Sequence, residues 1–104
     1  MISIIIPTKD RTDNLKEVFK SLNKTTLYSK DVEVVLYVDY DDKNTIDFLK
    51  NEINDHIGVI KASAIVGKTK IKLADMYNEA FKKCTGDIIM YSADDVQFKT
   101  QHWD

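Results

Sequence analysis

Ile2 to Ile6 and Val32 to Val38 are short runs of mostly apolar, β-branched residues, each closed by polar or turn-forming positions. Near-continuous apolar runs of this length fit strands covered on both faces, as at the centre of a parallel sheet. Two weaker runs, Gly58-Val59-Ile60 and Asp87 to Tyr91, bring the strand candidates to four. Between them the period changes. Leu15, Val18, Phe19 and Leu22 recur at i, i+3, i+4 and i+7 behind Thr12, Asp13 and Asn14, which are residues that cap helices, so one apolar stripe faces the sheet. Ile46, Leu49 and Ile53 predict a second, shorter helix. Leu73, Tyr77, Ala80, Phe81 and Cys84 predict a third that closes at Thr85-Gly86.

The resulting order, βαβαβαβ, predicts an α/β fold with a central, mostly parallel sheet flanked by helices and joined by right-handed crossovers. Ligands of such sheets bind beyond the carboxyl ends of the strands. Those ends carry Pro7-Thr8-Lys9-Asp10-Arg11, Asp39-Tyr40-Asp41-Asp42 and Ser92-Ala93-Asp94-Asp95. A chain of 104 residues holds one domain, residues 1–104, with no internal repeat, low-complexity tract or linker.

Charge narrows the partners. Fifteen basic and seventeen acidic residues leave a net charge of -2, so no overall positive field recruits nucleic acid or an anionic membrane. The opening apolar run lacks a basic start and stops at Pro7, which reads as a strand and not as a signal peptide or membrane segment. Cys84 stands alone, which excludes an internal disulfide and a multi-cysteine zinc site and fits a reducing, cytoplasmic setting. Neither His56 nor His102 has a second nitrogen ligand near it in the sequence.

Asp94 and Asp95 give adjacent carboxylates at a strand end, a donor set suited to a hard divalent cation that takes one or two protein oxygens and completes its shell with phosphate and water. Asp39, Asp41 and Asp42 form a second acidic cluster on the same rim, where like charges call for a cation or a hydrogen-bonding ligand. Gly67-Lys68-Thr69 resembles the end of a phosphate loop, but Ala62 replaces its first glycine. Lys68, Lys70 and Lys72 nevertheless approach a helix N-terminus, which attracts phosphate through free N–H groups and its dipole. Arg11 can pair with phosphate or with either acidic cluster. Cys84 reads as a small core residue, and Asp104 and His102 as a frayed end.

These segments together resemble the N-terminal half of family 2 inverting glycosyltransferases with the Rossmann-like GT-A nucleotide-diphospho-sugar transferase fold. Ile4 to Arg11 is similar to that family's opening strand and Pro-Thr-x-(Asn/Asp)-Arg turn, and Val35 to Asp39 to its second strand with a nucleotide-contacting aspartate. Tyr77-Asn78-Glu79-Ala80 followed by Gly86-Asp87-Ile88-Ile89 resembles its next pattern, and Ser92-Ala93-Asp94-Asp95 stands in place of its DxD-type motif. The resemblance implies a donor-binding half, in which Pro7 and Thr8 line the nucleotide, Thr8 and Asp39 contact uracil, Lys72 approaches the nucleotide, Asp94 meets the ribose and Asp95 binds Mn²⁺ or Mg²⁺. Tyr40 interrupts the usual pair of aspartates, so either Asp39 or Asp41 contacts the base.

The implied partners are a nucleoside diphosphate sugar, taken as a UDP-sugar, and a carbohydrate or other hydroxyl acceptor. The resemblance places the general base in a second half that these residues do not include, so the fold is truncated and the catalytic base stays unassigned. A nucleotide-sugar-binding module without turnover is one alternative. A receiver-like Mg²⁺-binding signalling domain is another, but it requires an aspartate at the end of the third strand, which is read here as Lys61-Ala62-Ser63.

Overall fold

The computed structural model describes residues 1–58, 60–101 and 103–104. Its elements follow in the order β1 (Ile2–Thr8), α1 (Thr12–Thr25), β2 (Val32–Val38), α2 (Lys43–Asn51), β3 (Lys61–Val66), α3 (Leu73–Phe81) and β4 (Ile88–Tyr91), with short 3-10 turns at Ser29–Asp31 and Ile53–Asp55. The strands form one parallel sheet in the order β3-β2-β1-β4. β1 and β2 are therefore the central pair.

That position explains their sequences. α1 and α2 cover one face, where Ile4, Ile6, Val34, Leu36 and Val38 pack against Leu15, Val18, Phe19, Leu22 and Phe48. α3 covers the other, with Ile5, Val35, Tyr37 and Ala80 as its buried cluster. A strand packed on both faces gains nothing from alternation, and every residue of β2 is buried. Register then sets the site. Thr8 pairs with Val38 and Ile5 with Tyr91, so the loops after β2 and β4 rise on either side of the β1 loop.

Several boundaries differ from the sequence reading. Val59, in the expected third strand, lies outside the described residues. The strand itself starts at Lys61 and ends at Val66, so Lys61-Ala62-Ser63 opens it instead of closing it. β3 is an edge strand of half-buried small residues, and Ala62-Ser63-Ala64 carries no hydrophobic signal. Asp94-Asp95 follows β4, the opposite edge strand. α1 starts at Thr12 itself, with Arg11 at the cap and no side-chain capping bond. α3 ends at Phe81, and Ile53 sits in a 3-10 turn beyond α2. Asp104 is not frayed: its carboxylate accepts the N–H groups of Leu27 and Tyr28 at 2.7 and 2.8 Å. His102 lies outside the described residues.

The amino end of the sheet is closed by a buried carboxylate. Glu33, 2% exposed, accepts on one oxygen from Ser3 Oγ at 2.6 Å, Thr85 N at 2.6 Å and Thr85 Oγ1 at 3.0 Å. Gly86 N donates in turn to Ser3 Oγ at 2.8 Å. A Cβ at Gly86 would lie 2.5 Å from Ser3 Oγ and 2.6 Å from the Met1 carbonyl, so glycine is required by close approach. Burial pushes the Glu33 carboxyl upward, but the hydrogen bonds from Ser3 and Thr85 and the charge of Lys61 outweigh it and hold the group below 4.5.

Candidate functional site

At the carboxyl end of the sheet the chain turns sharply after Thr8. Asp10 has φ 54°, a left-handed conformation that aspartate and asparagine tolerate better than other side chains with a Cβ. The turn is pinned from the β2 loop, because Asp10 N donates to Asp42 Oδ2 at 2.6 Å and Asn44 Nδ2 donates to Asp10 Oδ1 at 2.7 Å. Asp42 also caps α2 by accepting from Thr45 N at 3.1 Å. Its role is structural, which removes it from the ligand-seeking acidic cluster.

The reversal sends Lys9 and Arg11 to opposite sides. Arg11 donates to Asp94 Oδ1 at 3.2 Å, and Thr8 Oγ1 donates to Asp94 Oδ2 at 2.9 Å. Asp94, 5% exposed, therefore has both oxygens engaged across the β1–β4 seam. Lys9 Nζ lies 3.4 Å from Asp39 Oδ2 and 3.5 Å from Asp41 Oδ1 across the β1–β2 seam. The hydrogen bond to Asp39, and then the charge of Asp41, raise the Lys9 ammonium above its ordinary value, so it stays cationic at neutral pH. Asp39 is 7% exposed, and its Oδ1 is buried with no hydrogen-bond partner among the described residues. An unpaired buried acceptor is costly unless a donor arrives.

These residues surround a cleft of about 490 Å³ lined by Pro7, Thr8, Lys9, Arg11, Asp39, Leu73, Met76, Tyr77, Ala93 and Asp94. Its volume lies within the usual range for small-molecule sites. The floor is the first part of α3, where Leu73, Met76 and Tyr77 project at i, i+3 and i+4. Tyr77 Oη donates to the Ser92 carbonyl at 2.8 Å, and its ring meets Tyr91 edge-on at 5.1 Å. Burial pushes its phenol upward, so it remains a donor.

Of the residues singled out in the sequence, the structure gathers Pro7, Thr8, Arg11, Asp39 and Asp94 in this cleft. Asp41 joins only through Lys9 and lines a neighbouring depression with Asp10 and Asn44. Lys68 lies in a separate cleft with Tyr37, Asp75 and Glu79. Lys72 is exposed at the N-cap of α3 and makes no capping bond there. Ala62 lies inside β3, so no phosphate loop spans it and Gly67. That glycine has another reason: a Cβ there would overlap the Tyr37 hydroxyl. Sequence reasoning missed Lys9, Leu73 and Met76 as lining residues, and Tyr77 was read only as part of a core stripe. The i, i+3, i+4 spacing at the rim end of α3 was the available signal.

Residues 3–104 match the sequence profile of Glycosyl transferase family 2. The chain therefore belongs to that family, and its parallel sheet with flanking helices has the GT-A fold. Among solved structures it is similar to Staphylococcus aureus TarS 1-349, at 21% identity and a TM-score of 0.74, over 90% of this chain and 27% of that one. It is also similar to the mannosyltransferase PcManGT of Pyrobaculum calidifontis in complex with GDP-Man and Mn²⁺, at 19% identity and a TM-score of 0.77, with the same two coverages. TarS 1-349 with UDP-GlcNAc matches at 20% identity and a TM-score of 0.72, over 90% of this chain and 26% of that one. No curated protein matches the chain. The chain thus spans about a quarter of the length of the structures it resembles.

The PcManGT structure holds Mn²⁺, and the donor set of this chain can be tested against such a cation. Among the described residues no group of three or more His, Cys, Asp or Glu side chains could hold a metal. Asp95, one residue outward from Asp94, is exposed and makes no hydrogen bond or ion pair among them. One free carboxylate beside an already engaged one fits Mg²⁺ or Mn²⁺, which take few protein ligands and fill the remaining positions with phosphate and water. No helix among the described residues is long and apolar enough to cross a membrane.

Proposed function

We propose that the cleft binds the nucleoside diphosphate of a sugar donor, specifically a UDP-sugar, and that the chain is the donor-binding part of an inverting, metal-dependent glycosyltransferase with a hydroxyl acceptor. The observation that carries this reading is the buried, partnerless Asp39 Oδ1. A uracil ring N–H supplies the missing donor. Of the two aspartates the sequence left open, Asp39 is therefore assigned to the base, and Asp41 to the ion pair with Lys9.

Asp94 meets the ribose. Its oxygens already accept from Thr8 and Arg11, but a carboxylate has about four lone-pair sites in all, which leaves capacity for a sugar hydroxyl. Arg11 neutralises Asp94 and fixes its plane. Leu73, Met76 and the ring of Tyr77 form an apolar wall that keeps water from the polar contacts. Lys72, exposed at the N-cap of α3 and without an ion pair among the described residues, provides positive charge for the diphosphate from the α3 side. Asp95 would hold Mn²⁺ or Mg²⁺, which when bound supplies Lewis-acid stabilisation of the departing nucleoside diphosphate.

A second reading is supported by what surrounds the cleft. Its two buried carboxylates, Asp39 and Asp94, are tied to Lys9 and to Thr8 and Arg11, so neither is free to deprotonate an acceptor. On that basis the chain binds nucleotide sugar without turning it over. The receiver-like reading loses its support, because β3 ends in Ile65-Val66 with no aspartate. Calorimetric titration with UDP and Mn²⁺, followed by a sugar-release assay, separates the first two readings. Binding with release supports the transferase, and binding without release supports the module. Absence of metal-dependent UDP binding at millimolar nucleotide contradicts both.

A further inference from the structure

Gly67-Lys68-Thr69 takes no part in the donor cleft. It lines a separate cleft of about 660 Å³ between the end of β3 and α3. Asp75, Asn78 and Glu79, spaced i, i+3 and i+4, face this cleft, whereas Leu73, Met76 and Tyr77 face the other, and the two linings share no residue. Tyr37, 3% exposed, reaches the second cleft from the sheet, with its hydroxyl against Gly67. That hydroxyl makes no hydrogen bond among the described residues. It is not sealed either, since Asp39 Oδ1 is the one partnerless side-chain atom among them that is fully shut from solvent. A side chain otherwise buried therefore keeps an open, unpaired hydroxyl at the floor of the cleft, and only glycine at position 67 leaves it room.

We propose that this cleft is a second site, apart from the donor's, that binds a neutral saccharide. The side chains of Lys68, Thr69, Asp75 and Asn78 also have no partner among the described residues. With Tyr37 they offer both donors and acceptors, which suits sugar hydroxyls, since each of those both donates and accepts. Ile65, Val66 and Ile71 supply an apolar wall for the C–H face of a pyranose. Charge disfavours the other classes of ligand. Glu79 is paired with Lys82 at 3.1 Å, which leaves Lys68 and Asp75 to balance each other. A phosphate would meet two carboxylates there, and a divalent cation would meet an ammonium. Burial, and then the charges of Asp39 and Glu79, push the Tyr37 phenol upward, so it stays a neutral hydroxyl. The inference goes beyond the nucleotide reading of the donor cleft and does not depend on it.

The test follows amide NMR signals of the wild-type chain, Tyr37→Phe and Asp75→Ala, with thermal melts to show that all three fold. The probes are maltose, cellobiose and the methyl glycosides of galactose, mannose and N-acetylglucosamine, all neutral, with inorganic phosphate and Mn²⁺ as ionic controls. At least one sugar is expected to shift the Gly67, Lys68 and Asn78 signals saturably at millimolar concentration while the Thr8 and Asp94 signals stay in place. Asp75→Ala should weaken that sugar about tenfold, and Tyr37→Phe, which removes one oxygen and no packing, about fivefold. Tyr37→Phe should melt no lower than the wild type; a markedly lower melting temperature would give the hydroxyl a structural role and overturn the proposal. Absence of a saturable shift with every sugar overturns it, as do shifts confined to Thr8 and Asp94, or variants that bind sugar as the wild type does. Saturation by phosphate or Mn²⁺ but by no sugar also overturns it and makes the cleft an ion site. Failure of UDP to bind the donor cleft contradicts the nucleotide reading alone.

Discussion

Two buried carboxylates stand at opposite ends of β2 and are kept in opposite ways. Glu33, near its start, gathers three donors on one oxygen and ties β1 and β2 to the turn before β4. Asp39, just past its end, has one oxygen against Lys9 and the other without any donor. The amino rim of the sheet is closed and serves stability. The carboxyl rim is left electrostatically incomplete, as a site must be if a ligand is to supply the missing partner. Removing the satisfied group should therefore damage the fold, and removing the unsatisfied one should damage binding.

The largest effect is expected from Glu33→Ala, which strands the Thr85 N–H and the Ser3 hydroxyl. Urea denaturation should show a loss of about 3 kcal/mol, with nucleotide affinity unchanged wherever the variant remains folded. Asp39→Ala is the mirror case. UDP affinity should fall about 30-fold, or about 2 kcal/mol, while stability moves by less than about 1 kcal/mol, because the group lost was only half-paired. If the two variants behave alike, the contrast between the rims fails.

Acid sharpens it. The folded Glu33 carboxyl lies below its unfolded value of 4.5, so its contribution is present above that pH and is lost as pH falls through the lower, folded value. Melting temperatures measured downward from pH 5 should fall more steeply for the wild type than for Glu33→Gln. Equal slopes would show that the hydrogen bonds do not favour the ionised form. The smallest effect is expected from Tyr77→Phe, which leaves the Ser92 carbonyl unpaired and should cost about 1 kcal/mol of stability. Its apolar ring remains, so nucleotide affinity should change less than in Asp39→Ala.

What the sequence revealed follows burial. β1 and β2 were legible as near-continuous apolar runs buried on both faces, and α1 was legible from buried apolar residues at helical spacing. β3 was not, because an edge strand needs only one paired side and Ala62-Ser63-Ala64 leaves no pattern to read. In the site, Thr8, Arg11, Asp39 and Asp94 were legible as strand-end polar residues, since topology alone puts them on one rim. Lys9 was missed because its partners lie about 30 positions away across a seam that only the register reveals. Lys68 was placed with the phosphates by its proximity to α3, yet the chain turns it into another cleft. Asp42 could have been recognised locally, since Asp42 and Thr45 have the spacing of a helix cap.

The most direct test is a crystal structure of the chain with UDP and Mn²⁺. The account predicts the uracil ring N–H within hydrogen-bond distance of Asp39 Oδ1 and the cation on the Asp95 carboxylate. A bound nucleotide that leaves Asp39 Oδ1 without a donor, with its base in the Lys68 cleft or elsewhere, would contradict it.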